Sequence, residues 1–177
     1  MTVGEAFTIL RHASPPNGYQ LGEKGKWSKA GSLFEQGART PFIVAAPKVK
    51  GNGKVCERIA QAVDFFLTLV ELGGRPRPQG LEGSSLVPLL NDPQMEWNHP
   101  AFTVWGEDGK TLHGVAVRTE EWRYAEFGRN GQNVAMLFDE TVHPLETKNL
   151  VDDPQSAAVR AELSALVKAY GARSGRR

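Results

Sequence analysis

The chain has 177 residues, of which 40% are hydrophobic and 23% are charged, and its formal net charge is +1. This composition is that of an ordinary globular protein, and the near-neutral charge argues against a nucleic-acid partner. Cys56 is the single cysteine, which excludes an intrachain disulfide and a cysteine-based metal site.

Membrane and targeting signals are not evident in the sequence. No apolar stretch reaches the roughly 18 residues that a transmembrane helix requires, so no membrane partner is expected. The N-terminal segment has an acidic Glu5 and no long apolar run, which does not fit a secretory signal peptide. The compartment therefore stays open.

Residues 1–16 do not clearly predict a helix or a strand. They end in the pair Pro15-Pro16, which would terminate any helix or strand before it. Residues 17–29, called the glycine-rich loop below, combine three glycines with charged side chains and two aromatic residues, Tyr19 and Trp27. This stretch is too polar for a core strand and too rich in glycine for a stable helix. It predicts a shaped loop of the kind that carries function on a scaffold, with Tyr19 and Trp27 as its packing anchors.

Three elements are predicted after the loop. The apolar run 40–47 lies between prolines and predicts a strand buried on both faces, as in a mostly parallel sheet. Residues 56–72 repeat apolar side chains at helical spacing and stop at Gly73-Gly74, which predicts a helix. Ser84 or Ser85 is expected to cap a short helical turn over residues 86–90.

The pattern changes at about residue 95. Residues 101–105, 114–119, 122–127 and 135–138 are short strand candidates separated by turn-forming residues. Val115 and Val117 alternate with Ala116 and Arg118, which predicts a strand with one exposed face. Pro154 opens a final amphipathic helix. A small antiparallel sheet carrying one helix is therefore expected over residues 95–172, which is an α+β arrangement.

The glycine-rich loop resembles a loop of the sulfatase family, in particular of its iduronate-2-sulfatase-like members. The family pattern reads Gly-aromatic-x-Leu-Gly-Glu-His-Gly-x-Trp-x-Lys, and eight positions match it in register: Gly18, Tyr19, Leu21, Gly22, Glu23, Gly25, Trp27 and Lys29. Further segments resemble the family in the same order along the chain, at residues 63–69, 80–90, 117–124, 137–139, 144–146 and 149–150. Ordered motifs are far more specific than any single one.

The resemblance implies a fold and a division of the chain. Residues 17–94 would be the C-terminal end of an α/β catalytic domain of the alkaline-phosphatase-like type. Residues 95–172 would be the small antiparallel subdomain, residues 1–16 an unmatched segment and residues 173–177 a basic tail.

The resemblance also implies roles for four residues. Lys29 matches the lysine that reaches the substrate sulfate, and Asn17 matches one member of a metal-binding pair whose other position is here Pro16. Lys24 stands where the family usually has histidine and could meet the anionic substrate, and His113 could face the cleft. Each residue also has a purely structural alternative. Lys24 and Lys29 would be solvated surface lysines, Asn17 would form a turn, and His113 would be an exposed histidine in a turn.

Sulfate-ester hydrolysis in this family needs parts that the chain does not show. The formylglycine nucleophile arises from a Cys/Ser-x-Pro-x-Arg motif, and neither Cys56 nor Ser14 begins one. The metal, usually Ca²⁺, wants about six to eight oxygen ligands, and Asn17 alone does not hold it. We therefore expect Ca²⁺ in the parent family and not in this chain by itself.

Two functions remain open. The chain is either an inactive C-terminal fragment of a sulfatase acting on a sulfated sugar or another sulfate ester, as left by a truncated gene, or a sulfatase-derived module that binds an anionic sugar or a partner chain without catalysis. In either case the apolar run 40–47 would lack sheet neighbours, and an exposed strand edge favours self-association.

Overall fold

The structure, a computed structural model, describes residues 19–28, 31–106, 112–128 and 134–173. The chain forms two compact units. One is Pro41–His99, and the other combines the described parts of Pro15–Thr40 and of Pro100–Arg177. In this grouping the described segment before residue 41 belongs with the C-terminal sheet. The expected domain division at residue 94 stays a prediction. No helix in the described residues is both long and apolar enough to cross a bilayer.

The second unit is built on a meander of four antiparallel strands. These are β1 (Ala101–Gly106), β2 (Leu112–Arg118), β3 (Trp122–Phe127) and β4 (Val134–Asp139), in the spatial order β1-β2-β3-β4. The four predicted strands are confirmed. Short connections between successive strands explain this order, because each strand pairs with the next along the chain.

One face of the sheet packs on the C-terminal helix. In register, Phe102 lies opposite Val117, Val117 opposite Tyr124, and Tyr124 opposite Leu137. The helix, Ala157–Arg173, buries Leu163 and Val167 against this row and is preceded by a 3₁₀ turn, Pro154–Ser156. The predicted small sheet carrying one helix is confirmed.

The other face of the sheet is covered as well. Ala116, Ala125 and Phe138 pack with Leu33 in a second buried cluster. Leu33 lies two residues before the start of a short helix, α1 (Glu35–Ala38). The prediction that β2 has one exposed face is therefore wrong. Alternation of residue types indicates which side chains share a face of the strand, but not what covers each face. The residue that covers the second face, Leu33, lies more than 80 positions before Ala116 in the chain.

The unit Pro41–His99 contains two helices, α2 (Asp64–Leu72) and α3 (Val87–Asn91). The C-terminal helix described above, Ala157–Arg173, is called α4 below. The short predicted helix near residues 86–90 is confirmed, and the Ser85 hydroxyl accepts the Val87 N–H at 3.3 Å. Leu86, Leu89 and Trp97 form the buried core here.

The predicted helix over 56–72 is confirmed only from Asp64 onward. The Arg58 side chain donates to the carbonyls of Met95 and Gln94, at 2.9 Å each, and the Trp97 indole donates to the Ile59 carbonyl at 3.0 Å. These bonds hold the backbone before residue 61 against residues 94–97. Helical periodicity could not reveal partners so distant in the sequence.

The strand predicted over the run 40–47 is wrong for this chain. Residues 40–46 carry no strand assignment, and Phe42 and Ile43 are 44% and 62% exposed. A strand exists only where its backbone pairs with a neighbour. Within the described residues of Pro41–His99 there is no other strand to pair with.

Candidate functional site

The glycine-rich loop folds back on itself over its described residues, 19–28. The Gly22 N–H donates to the Lys26 carbonyl at 2.9 Å, and the Gln20 N–H donates to the Ser28 carbonyl at 3.4 Å. A 3₁₀ turn, Glu23–Gly25, closes the tip, with φ of 114° at Gly22 and 68° at Gly25. Glycine tolerates such positive φ values without penalty, so these residue types set the shape of the loop.

Glu23 stabilises the tip. Its carboxylate accepts the Leu21 N–H at 2.6 Å. Hydrogen bonds from its own backbone N–H and from that of Leu21 hold the pKa of the Glu23 carboxyl below its usual value. This geometry gives Glu23 a structural role, the capping of a turn.

Lys24 points into its own unit. Its ammonium donates to the Leu145 carbonyl at 2.8 Å and to the Glu146 carbonyl, and it lies 5.3 Å from the Phe34 ring centroid and 5.8 Å from that of Phe138. Each of these contacts favours a cation. Lys24 therefore ties the loop tip to the turn after β4, and its predicted contact with substrate stays a prediction.

Lys26 and Gly31 fix the end of the loop on Trp105 of β1. The Lys26 ammonium donates to the Gly31 carbonyl at 2.7 Å and lies 6.0 Å from the Trp105 ring centroid. A Cβ on Gly31 would stand 2.9 Å from Cε2 of the same indole, and Gly31 has φ of +64°. Glycine is therefore required at position 31 by both conformation and space.

His113 lies on β2 beside the same tryptophan. Its ring centroid is 5.3 Å from that of Trp105, and the side chain is half-buried. Trp105 thus has a contact with Lys26 of the loop and with His113 of the sheet. His113 lies within the strand and not in a turn, and its role toward substrate stays a prediction.

Lys29, Asn17 and Pro16 lie outside the described residues. The sulfate contact predicted for Lys29 and the metal contact predicted for Asn17 therefore stay predictions. Of the described residues on either side of Lys29, Ser28 accepts the Gln20 N–H at its carbonyl, and Gly31 packs on Trp105 of β1.

The aromatic residues of the loop are not buried anchors. Tyr19 and Trp27 are 59% and 70% exposed, although one side of the Trp27 indole packs on Gly22. Gln20 is fully buried instead, and neither its Nε2 nor its Oε1 has a hydrogen-bond partner. The expectation that Tyr19 and Trp27 anchor the loop is wrong; the loop is held by Lys24, Lys26 and the glycines.

Below the loop lies a buried cluster of five ionisable side chains, called the ion cluster below: Glu35, Arg118, Arg123, Glu140 and Glu146. Arg118 and Arg123 are opposite each other on β2 and β3, on the sheet face that packs against Leu33. Arg123 contacts the carboxylates of Glu35, Glu140 (3.3 Å) and Glu146 (3.0 Å). The cluster joins the segment before residue 40 to the sheet.

Burial dominates the titration of two of these carboxyls. It raises the pKa of Glu146 to about 7, against the lowering effect of the Arg123 guanidinium. It also raises the pKa of Glu140, with Arg118 and Arg123 opposing. On the helix-packed face, burial and the Glu126 carboxylate raise the pKa of Tyr124 to about 12.

The described residues contain no group of three His, Cys, Asp or Glu side chains that could hold a metal ion. A cation such as Ca²⁺ needs several carboxylate or carbonyl oxygens directed at one point. By themselves, the described residues therefore do not fit the Ca²⁺ site that the resemblance implies.

The sequence reasoning missed Lys26, Trp105 and the ion cluster. Arg123 and Glu146 did stand within motifs that resemble the family. A motif indicates which residue type occurs at a position, but not which residues that side chain contacts. Arg123 bonds to the Leu33 carbonyl and Glu146 accepts the Glu35 N–H, and these contacts span about 90 to 110 positions of sequence.

Comparison with known proteins supports the family assignment. The family described as "N-sulphoglucosamine sulphohydrolase, C-terminal" matches residues 22–172 of this chain. A Delta 4,5-hexuronate-2-O-sulfatase of Bacteroides thetaiotaomicron is 30% identical over 149 residues, which are 81% of this chain and 30% of that protein. Arylsulfatase K of Canis lupus familiaris is 29% identical over 128 residues, 67% of this chain and 23% of that protein.

Solved structures show the same fold. A 2-O GAG sulfatase superposes with a TM-score of 0.77 at 27% identity, over 90% of this chain and 35% of that one. The alkaline-phosphatase-like sulfatase fold expected from the motifs is therefore confirmed. The chain spans about a quarter to a third of the length of these relatives.

Proposed function

This chain belongs to the family of N-sulphoglucosamine sulphohydrolase C-terminal domains, and from that membership we propose that it is the C-terminal part of a sulfatase acting on a sulfated sugar. Among sulfate esters we favour those at the 2-position of a uronate, as in iduronate-2-sulfatase-like enzymes. The similarity to a hexuronate-2-O-sulfatase over 81% of the chain supports this choice.

The observation that carries the proposal is the anchored glycine-rich loop. Lys24 ties the loop tip to the turn after β4, and Lys26 bonds to the Gly31 carbonyl beside Trp105, so the described part of the loop that precedes Lys29 in the sequence has a defined shape. A fixed ammonium next to a sulfate ester would stabilise the charge that develops on the transferring group without reorganisation during reaction. That is the role we propose for Lys29.

The remaining parts would come from outside this chain. In the proposed enzyme Ca²⁺ would polarise the sulfate oxygens, with Asn17 as one neutral ligand and the other ligands supplied elsewhere. The 177-residue chain carries no Cys/Ser-x-Pro-x-Arg motif. We therefore propose that the chain alone does not turn over sulfate esters.

The test is a chimaera in which residues 22–172 replace the matching segment of the hexuronate-2-O-sulfatase. We expect sulfate release from a 2-O-sulfated unsaturated uronide by the chimaera and none by the 177-residue chain. Lys29→Ala should lower kcat by about 10²-fold or more, the usual size for losing one electrostatic contact to the transition state.

Lys54→Ala is the matched control, because Lys54 is an exposed lysine in the other compact unit. It should leave kcat unchanged. A folded chimaera that is indifferent to Lys29→Ala would contradict the role of Lys29. Turnover of an aryl sulfate by the isolated chain would contradict the proposed dependence on parts outside it.

A second candidate is a binding module without catalysis. The exposure of Tyr19 and Trp27 favours it, because aromatic faces in solvent suit contact with a sugar or a partner chain. Calorimetric titration of the 177-residue chain with a sulfated disaccharide discriminates: saturable binding that Trp27→Ala removes would favour the module.

A further inference from the structure

An open pocket of ≈ 350 Å³ lies at the end of the sheet where β3 begins and β4 ends. Trp122, the first residue of β3, lies opposite Asp139, the last residue of β4. The segment between β4 and α4 completes the wall and contributes His143, Lys148 and Asp153. None of the described residues that line the pocket belongs to the glycine-rich loop or to the ion cluster. The pocket is therefore separate from the candidate site.

Each of the two aspartates uses one carboxylate oxygen to shape the wall. Oδ1 of Asp139 accepts the hydroxyl and the backbone N–H of Thr141 and the Val142 N–H, and the bond from the hydroxyl contributes most to holding the pKa of Asp139 below its usual value. Oδ1 of Asp153 accepts the Gln155 N–H at 2.9 Å. In the described part of the chain no hydrogen bond ends on Oδ2 of either aspartate, so two acceptor atoms remain for a ligand.

Lys148 adds donors to the same pocket. Within the described residues its ammonium forms no ion pair, although Asp139 and Asp153 line the pocket with it. The opposite charges therefore stand apart across the pocket instead of meeting. A hydroxyl group fits such an arrangement, because it can donate to a carboxylate while it accepts from an ammonium.

The apolar side of the pocket comes from Trp122. Its indole is half-buried and packs at the edge of the core between the sheet and α4. Ser156, only 7% exposed, adds a hydroxyl to the lining. Sites for small molecules combine an aromatic or apolar surface with a few polar groups that fix orientation, and the volume here is at the lower end of their range. A single small ring suits the pocket.

The charge of the lining selects among such rings. With His143 neutral, the ionised side chains are Asp139, Asp153 and Lys148, which sum to −1. A negative lining disfavours an anionic ligand and accepts a neutral one.

We propose that this pocket binds a neutral pyranose ring, whose adjacent hydroxyls bridge Lys148 and the two aspartates while the Trp122 indole covers its apolar side. The sugar is a unit of the substrate chain other than the one that carries the reacting sulfate. This source of the sugar rests on the proposed function, whereas the binding itself does not.

The test is an NMR titration of the 177-residue chain with methyl N-acetylglucosaminide, at about pH 8, where histidine is neutral. The indole N–H signals of the four tryptophans are followed, and that of Trp122 is assigned by its loss in Trp122→Phe. We expect a saturable shift of the Trp122 signal with a Kd of about 1–10 mM, a weak affinity that suits a few hydrogen bonds to one ring. Methyl glucuronide should bind several-fold more weakly, because its carboxylate meets a negative lining.

Two pocket variants have matched controls. Asp153→Asn keeps an acceptor for the Gln155 N–H and replaces the unbonded oxygen by NH₂, so it should weaken binding about fivefold or more. Asp152→Asn, at an exposed neighbour that does not line the pocket, should leave Kd unchanged. Lys148→Met removes the ammonium and should weaken binding to a similar degree, whereas Lys168→Met on the exposed side of α4 should not.

The outcomes separate this pocket from the proposed function. A saturable Trp122 shift that both pocket variants weaken supports the pocket, whether or not the chimaera releases sulfate. A Trp122 signal that does not move overturns it, and so does a shift confined to Trp27, which would assign the sugar to the glycine-rich loop. Equal Kd values for the pocket variants and their controls overturn it as well. If Asp153→Asn does not fold, Lys148→Met decides, because Lys148 is exposed.

Discussion

Gly31 shows how a single residue fixes the functional loop. Its φ of +64° and its contact with the Trp105 indole each require glycine at position 31. The two requirements can be distinguished by comparison with Gly25. Gly25, within the glycine-rich loop, has a similar φ of +68°, but nothing lies within 4 Å of the position that a Cβ would take there. The two glycines differ mainly in the space around them.

Gly31→Ala should therefore destabilise the chain more than Gly25→Ala. Both substitutions force alanine into the left-handed region, at about 1–2 kcal/mol. Gly31→Ala adds a clash with a side chain packed in the sheet, worth about 1–3 kcal/mol more. Urea unfolding of the two variants measures the difference in the free energy of unfolding.

Gly31→Ala in a Trp105→Ala background provides the control for this prediction. Removing the indole should abolish the extra loss and leave the two alanine substitutions about equal. Equal losses for Gly25→Ala and Gly31→Ala in the unchanged background would contradict the proposed packing requirement.

Lys24 illustrates why residue-level function is hard to predict from a motif. Its position in the loop predicted an anion contact, and a lysine is chemically suited to one. In the folded chain two backbone carbonyls occupy its ammonium, and these belong to residues 145 and 146. Only tertiary contacts could distinguish an anchor from a ligand.

At the scale of elements, Asp64, the first residue of α2, joins the helix to the segments on either side of it. Its two carboxylate oxygens accept the backbone N–H groups of Gln61 (2.9 Å) and Ser84 (2.8 Å), and Asp64 is buried. Thr68, one turn later, accepts the Leu86 N–H at 2.9 Å. One face of the helix thus holds residues 84–86 by hydrogen bonds to its side chains.

Asp64→Asn should destabilise the unit Pro41–His99. An asparagine has a single acceptor oxygen, so one of the two N–H groups would face an NH₂ and lose its bond, at about 1–3 kcal/mol. Asp153→Asn is the matched control, because Oδ1 of Asp153 accepts the Gln155 N–H and an amide oxygen can replace it. Thermal unfolding by circular dichroism should lower Tm for the first variant and not for the second.

The same scale explains which elements the sequence could predict. The four strands and α4 depend on local alternation or helical periodicity, and all five are present. The first half of the helix predicted over 56–72 is absent because Arg58 and Ile59 bond to residues 94–97. Periodicity describes what a segment can form, whereas competing partners decide what it does form.

At the scale of the whole molecule, the apolar run 40–47 bears on whether the chain associates with itself. Phe42 and Ile43 are exposed, and the run carries no strand assignment. Apolar side chains exposed to solvent favour association with another chain. We expect the isolated chain to self-associate through this run.

Ile43→Lys should shift the chain toward the monomer, because a charge on the run opposes edge pairing. Leu81→Lys is the control, since Leu81 is also exposed but lies outside the run. Sedimentation velocity at low and high protein concentration measures the change. A chain that stays monomeric at both concentrations, or equal effects of the two variants, would contradict the prediction.

The sequence by itself determined the family, the small antiparallel sheet and its helix, because ordered motifs and short-range periodicity are properties of consecutive residues. Only the tertiary structure decided the second buried face of the sheet, the anchoring of Lys24 and Lys26, and the ion cluster around Glu146. Those features arise from contacts between residues as far as 122 positions apart, and their charges and pKa values depend on burial that exists only once the chain has folded.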